Sequence, residues 1–183
     1  VRTRALAWPV VFSLLLLLFS SCVALTPAAV ENSSRQPGLH RATVGDMQLD
    51  WRVDDGATLY IRLSAPTTGW IGIGFEPMAA LKDADIITGF VSNGTVSIVD
   101  GFGTYAFWHE PDVDLGGSND VIDATGGEDR GWTTLSFRIP LDSGDSMDHV
   151  LVPEEMTTIV LAYGPRDTHL GLYTRFYKTQ LPL

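Results

Sequence analysis

The chain has a single cysteine, Cys22, in 183 residues. No internal disulfide can brace it, and beyond residue 22 no thiolate remains for nucleophilic catalysis, zinc or blue copper. Basic residues are scarce too: 12 Lys+Arg stand against 22 Asp+Glu, a formal charge of −10. Arg2 and Arg4 are the charged residues of 1–21, so loss of that stretch would leave 10 basic and 22 acidic residues, a charge of −12. A body this acidic repels phosphate backbones and anionic headgroups, which argues against a nucleic-acid partner. No long amphipathic helical pattern, internal repeat or G-x-S-x-G motif is present, and no Ser or Cys nucleophile has a convincing His partner. Glu154 and Glu155 are adjacent and point apart in an extended chain, unlike a glycosidase pair. A hydrolase is therefore not expected. With 19% charged and 45% hydrophobic residues, the chain is too apolar to be disordered and can fill one core.

Residues 1–22, VRTRALAWPVVFSLLLLLFSSC, place two arginines before an apolar run that ends in small residues. This is the layout of a secretory signal peptide. Its ending, Phe19-Ser20-Ser21-Cys22, resembles a bacterial lipobox with Phe19 in place of the usual leucine, and makes Cys22 a candidate for lipidation. Ordinary cleavage after Ala24 is the alternative, with Cys22-Val23-Ala24 as the small-residue site. Residues 23–40 are polar, with Pro, Ser and Asn, and read as a flexible tether. The expected product is exported to the cell envelope, on its periplasmic or extracellular face, and held to the membrane if Cys22 is acylated.

From residue 41 to 183 the rhythm is β. Met47, Leu49, Trp51 and Val53 alternate with polar residues, Asp54-Asp55-Gly56 reads as a turn, and Leu59, Ile61 and Leu63 alternate again. Segments 86–91 and 95–99 flank Ser92-Asn93-Gly94, a hairpin signal. Residues 101–127 read as a long Gly- and Asp-rich connection, followed by strands over 132–139, 157–163 and 172–181. Eight or nine short strands predict an all-β antiparallel sandwich of immunoglobulin-like architecture.

The chain is organised around Gly69-Trp70-Ile71-Gly72-Ile73-Gly74-Phe75-Glu76-Pro77-Met78. As a strand, it sets Trp70, Gly72 and Gly74 on one face and Ile71, Ile73 and Phe75 on the other. A bare glycine face suits a planar ligand or a second packed backbone. Met78 beyond it could reach a metal or fill a gap in packing. Tyr105, Phe107, Trp108 and His109 fall in the long connection, where aromatic residues are harder to explain by packing, and form a candidate ligand-contact group. Asp100 and Glu110 could serve it as polar partners. The acidic sets Asp112/Asp114, Asp120/Asp123 and Asp142/Asp145/Asp148 fit no EF-hand loop and read as turn formers.

GWIGIGF followed by KDADI, VSNGTVSIVD, DLGGSND, PLDSGD and IVLAYGP, in that order over roughly residues 42–181, resembles the DOMON domain family. The resemblance implies a secreted β-sandwich like the cytochrome domain of cellobiose dehydrogenase and the DOMON domain of dopamine β-monooxygenase. Some members bind b-type haem through a Met after the Gly-rich strand and a His or Lys near the last strands. Others lack haem and are thought to bind sugars or proteins. Here Leu81 holds the family's usual Met place and Tyr173 the usual His place. Met78 lies three residues before Leu81, and His169 four before Tyr173. A helical turn would keep the first pair on one face, and a strand would keep the second. The expected haem b site therefore uses Met78 and His169 as axial ligands, with Tyr173 or Lys178 as alternative second ligands. Gly72 and Gly74 would admit the porphyrin, with Trp70 and Phe75 packed around it. Apart from haem iron, no metal is expected. In this reading the domain relays electrons to a redox partner and is not itself an enzyme. The alternative is a haem-free carbohydrate- or protein-binding module at the cell surface.

Overall fold

The computed structural model describes residues 38–183. The leader, Cys22 and the tether up to residue 37 lie outside the described residues. Eleven strands and one short helix follow in order: β1 His40–Val44, β2 Met47–Asp54, β3 Thr58–Ala65, β4 Ile71–Phe75, β5 Asp85–Ser92, β6 Thr95–Tyr105, β7 Trp108–Pro111, α1 Asp112–Leu115, β8 Ile122–Asp129, β9 Trp132–Pro140, β10 Met156–Tyr163 and β11 Arg175–Pro182. They form a five-stranded sheet, β1-β2-β3-β9-β8, and a six-stranded sheet, β11-β10-β4-β5-β6-β7. Every strand pair is antiparallel. The expected antiparallel sandwich is what the chain forms.

Alternation builds the core. Leu49 and Trp51 of β2, Leu59, Ile61 and Leu63 of β3, and Leu135, Phe137 and Ile139 of β9 are buried on the inner face of the first sheet. Ile71, Ile73 and Phe75 of β4 meet them from the second. Asp46, in the turn between β1 and β2, accepts hydrogen bonds from the hydroxyls of Tyr163 at 2.8 Å and Tyr177 at 3.0 Å, tying the first sheet to β10 and β11. Across the same boundary, Trp51 Nε1 of β2 donates to the Pro182 carbonyl of β11 at 3.1 Å.

The predicted hairpin turn is present, with Asn93 and Gly94 at φ 52° and 77°, the left-handed pair that a two-residue turn between twisted strands requires. The long 101–127 connection is more ordered than expected. β6 runs on to Tyr105 past a bulge, β7 and α1 follow, and β8 starts at Ile122. Its sequence, IDATGGED, carries little apolar alternation because β8 is an exposed edge strand. Gly103 permits the continuation of β6: a Cβ there would run into the Leu81 carbonyl, so only glycine lets the turn before β5 lie this close.

Candidate functional site

All five residues of β4 are buried, including the outward-facing Gly72 and Gly74. The outer face of this sheet is therefore covered as well as its inner one. Two walls cover it. One is the 164–174 segment, pinned to the start of β4 by Trp70 N–H to the Arg166 carbonyl at 3.0 Å and Gly164 N–H to the Trp70 carbonyl at 3.0 Å. The other joins the turn before β5 to the β6–β7 hairpin, through Leu81 N–H to the Ala106 carbonyl at 3.0 Å.

Between the walls lies a cleft of about 520 Å³. Its floor is Gly72 and Gly74 of β4, Ile86 and Thr88 of β5, and Val160 and Ala162 of β10. Leu81, Phe107, Trp108 and His109 line one side, and Leu170, Gly171, Leu172, Tyr173 and Phe176 the other, with Trp70 at the end of β4. The glycine face is not an empty plane. A Cβ on Gly72 would sit 2.9 Å from Thr88 Cγ2, and one on Gly74 2.8 Å from Val160 Cγ2. The absent side chains let their neighbours on β5 and β10 lean together, and the cleft opens above them.

Polar groups are few. Burial pushes the His109 imidazole below its ordinary pKa, so it is neutral at neutral pH, and its Nδ1 is buried without a partner. The Trp70 Nε1 is likewise buried and unpartnered, crowded by Gly164 and Gly171. The lining contains no Ser, Cys, Lys, Asp or Glu side chain.

Several expected site residues fall elsewhere. Met78 is 72% exposed and lies off the cleft lining. The segment after β4 is a tight turn rather than a helical one: Met78 N–H donates to the Lys82 carbonyl at 2.9 Å, Ala79 bridges Lys82, and Ala80 and Asp83 take φ of 53° and 61°. The three-residue step from Met78 to Leu81 therefore reverses direction, putting Leu81 in the cleft and Met78 outside. His169 also lies off the lining. No strand runs from His169 to Tyr173: β11 starts only at Arg175, and residues 166–173 turn. Its ring instead packs over β5 and β6: Nε2 lies 2.9 Å from Ser97 Oγ, Nδ1 lies 3.4 Å from Thr88 Oγ1, and the Phe90 ring is 4.9 Å away. Phe75 is fully buried in the sandwich core, on the opposite face of β4 from the cleft. Lys178 pairs with Val160 across β10–β11 but is exposed and off the lining. Tyr105 is exposed outside the cleft, and Asp100 points into the sandwich. The structure does gather Trp70, Gly72, Gly74, Phe107, Trp108, His109 and Tyr173 around one cavity. Sequence reasoning missed Leu170, Leu172 and Phe176. Their only signal was apolar residues in a Gly-containing stretch just before the last strand.

The DOMON domain profile matches residues 43–164. The chain belongs to the DOMON family. Curated relatives agree: MOXD1 homolog 2 of Drosophila melanogaster is 28% identical over 126 residues, covering 69% of this chain and 16% of its own length. DBH-like monooxygenase protein 2 of Mus musculus is 29% identical over 168 residues, covering 88% of this chain and 26% of its own. The chain thus spans about a sixth to a quarter of these relatives. Two solved structures share the fold. One is the cytochrome b domain of pyranose dehydrogenase from Coprinopsis cinerea, with a TM-score of 0.57 at 11% identity, covering 78% of this chain and 80% of that one. The other is the cytochrome domain of Myriococcum thermophilum cellobiose dehydrogenase, with a TM-score of 0.53 at 12% identity, covering 81% and 78%.

Within this DOMON domain, Leu81 and Tyr173 occupy the places where the resemblance puts iron ligands, and both line the cleft. A low-spin b-type haem needs two strong axial donors, one on each face. Leu81 offers none, Met78 is outside, and the His169 ring is engaged by two hydroxyls, which leaves His109 and Tyr173 as the donor side chains that line the cleft. The donor set does not fit a six-coordinate Met/His haem.

Proposed function

We propose that this DOMON domain binds a flat, largely apolar organic molecule in the cleft above Gly72 and Gly74, holding it by burial and aromatic stacking and not through a Met/His iron-ligand pair. The observation that carries this is the pairing of a roughly 520 Å³ apolar cleft with Leu81, which has no donor atom, at the place of the family's methionine ligand. Its volume falls in the roughly 300–1,000 Å³ range of small-molecule sites. Phe107 and Trp108, 74% and 47% exposed, line the cleft and supply aromatic rings for stacking on a guest. Thr88, His109 and Tyr173 provide a few polar contacts to orient it. Carbohydrate is disfavoured, since a sugar needs many hydrogen-bond partners and would strand hydroxyls against this lining. No Ser, Cys, Lys, Asp or Glu side chain lines the cleft, and in this reading the domain retains its ligand without transforming it. The leader reading supports an exported location for this binding.

The test is a titration with an environment-sensitive apolar aromatic dye, read by dye emission and tryptophan quenching. Saturable one-to-one binding is expected, abolished by Ala162→Trp, which fills the cleft floor from β10, at an unchanged circular dichroism spectrum. Equal dye binding by the Ala162→Trp variant would overturn the assignment.

A further inference from the structure

The inner face of the second sheet carries charge at its end nearest α1. Asp85 opens β5 in phase with the core residue Ile87, and Asp100 of β6 pairs directly with Ile87. Both carboxylates therefore point into the sandwich, 4% and 3% exposed. Asp112, at the start of α1, is fully buried beside them, and Asp148 reaches in from the connection between β9 and β10. Five carboxylate oxygens here are buried with no hydrogen-bond partner: Asp85 Oδ1, Asp100 Oδ1, both oxygens of Asp112, and Asp148 Oδ1. Among the described residues, ion pairs reach Asp50, Asp54, Asp83, Asp123 and Asp129, but none of these four.

Leaving so many carboxylate oxygens buried and unpaired is expensive, and a bound cation is the usual remedy. We propose that Asp85, Asp100 and Asp148, with Asp112 beside them, form a buried site for one divalent cation of the calcium class. One oxygen from each of the first three lies within 4.8 Å of the others. Oxygens on opposite sides of calcium, at 2.3–2.6 Å from the ion, are roughly 4.6–5.2 Å apart, so all three fit in one shell. The donors are all hard oxygens, with no imidazole or thiolate, which selects against zinc and copper. Calcium takes six to eight oxygens, so water completes what the carboxylates leave open.

The site differs from the cleft, since it lies on the inward face of the sheet and the cleft on the outward one. The two are joined through the backbone. Asp85 directly follows the turn that carries Leu81, and Asp112 directly follows β7, which carries Trp108 and His109. The 141–155 connection already reaches this corner, where His149 Nε2 lies 2.7 Å from the Asp83 carbonyl. A cation here would fasten that connection, α1, β5 and β6 to one point.

The test uses the purified full chain, stripped with EDTA, freed of chelator and titrated with CaCl2 in a calorimeter and in thermal scans. One ion per chain is expected, with a rise in Tm of roughly 5–10 °C when free calcium is a hundredfold above Kd. Asp85→Asn, which keeps shape and removes charge, should weaken binding at least about tenfold, and Asp114→Asn, outside the cluster, should not. If Asp85→Asn does not fold, Asp148→Asn at the half-buried edge takes its place. No binding heat and no Tm shift in the stripped wild-type chain would overturn the proposal, and mean that shared protons hold the carboxyls together. Wild-type affinity in the Asp148→Asn variant would overturn it equally.

Discussion

Gly74→Ala is the most informative single perturbation of the cleft floor. The new methyl would lie 2.8 Å from Val160 Cγ2, 3.3 Å from Ile86 Cγ1 and 3.4 Å from the Asp85 carbonyl oxygen. Replacing a strand glycine gains roughly 0.5–1 kcal/mol of backbone preference. Overpacking a buried site costs about 1–3 kcal/mol. The methyl meets β5 and β10 at once, and one of the three atoms is backbone, so the clash should win. The expected net is a loss of about 1–2 kcal/mol in urea unfolding. Combining the change with Val160→Ala removes the offending Cγ2. The double variant should then be more stable than the sum of the singles allows, by at least about 0.5 kcal/mol. The assay is a double-mutant cycle on urea midpoints. Additivity within about 0.3 kcal/mol would refute the idea that the glycine face exists to let neighbouring side chains close beneath the cleft.

Two further outcomes follow from burial and charge. Phe137→Ala, at a site 1% exposed in the centre of the core, should lose about 3–5 kcal/mol of stability, whereas Met78→Ala, 72% exposed, should change it by less than about 0.5 kcal/mol; both are read from denaturant midpoints. Asp54 accepts charge-assisted hydrogen bonds from Arg52 and then Arg138, which hold its carboxyl below its ordinary range. Its contribution is therefore fully present above the unfolded carboxylate pKa, near 4, and is lost as pH falls through the lower folded value. Asp54→Asn should flatten the acid limb of the stability profile below pH 4 and leave the shape above pH 6 unchanged, as measured by thermal scans across pH.

Much of the fold was legible because one side of each central strand faces the core. The two-residue alternation of 47–53, 59–63 and 132–139 is the inward and outward phase of β2, β3 and β9. β7, α1 and β8 were not legible: a four-residue strand, a single helical turn and an exposed edge strand need no apolar period. In the site, Phe107, Trp108 and His109 could be chosen because aromatic residues on a connection need a reason to be there. Met78 and His169 fall off the cleft lining for one common cause. Periodicity was extended through segments where the backbone reverses, at Ala80 and Asp83 in one and ahead of β11 in the other. The carboxylate cluster had a readable signal that spacing within turns obscured. Asp85 and Asp100 each occupy the inward phase of an otherwise apolar strand, where a charge needs a partner.

The visible absorption spectrum of the folded domain titrated with haem tests the account most directly. With Leu81 and Tyr173 facing the cleft and Met78 turned outward, no sharp Soret band with resolved α and β bands should develop on reduction. A reduced low-spin spectrum at one haem per chain, lost in Met78→Ala or His169→Ala, would contradict the account. It would mean that the turn after β4 and the segment before β11 rearrange to bring an iron-ligand pair into the cleft.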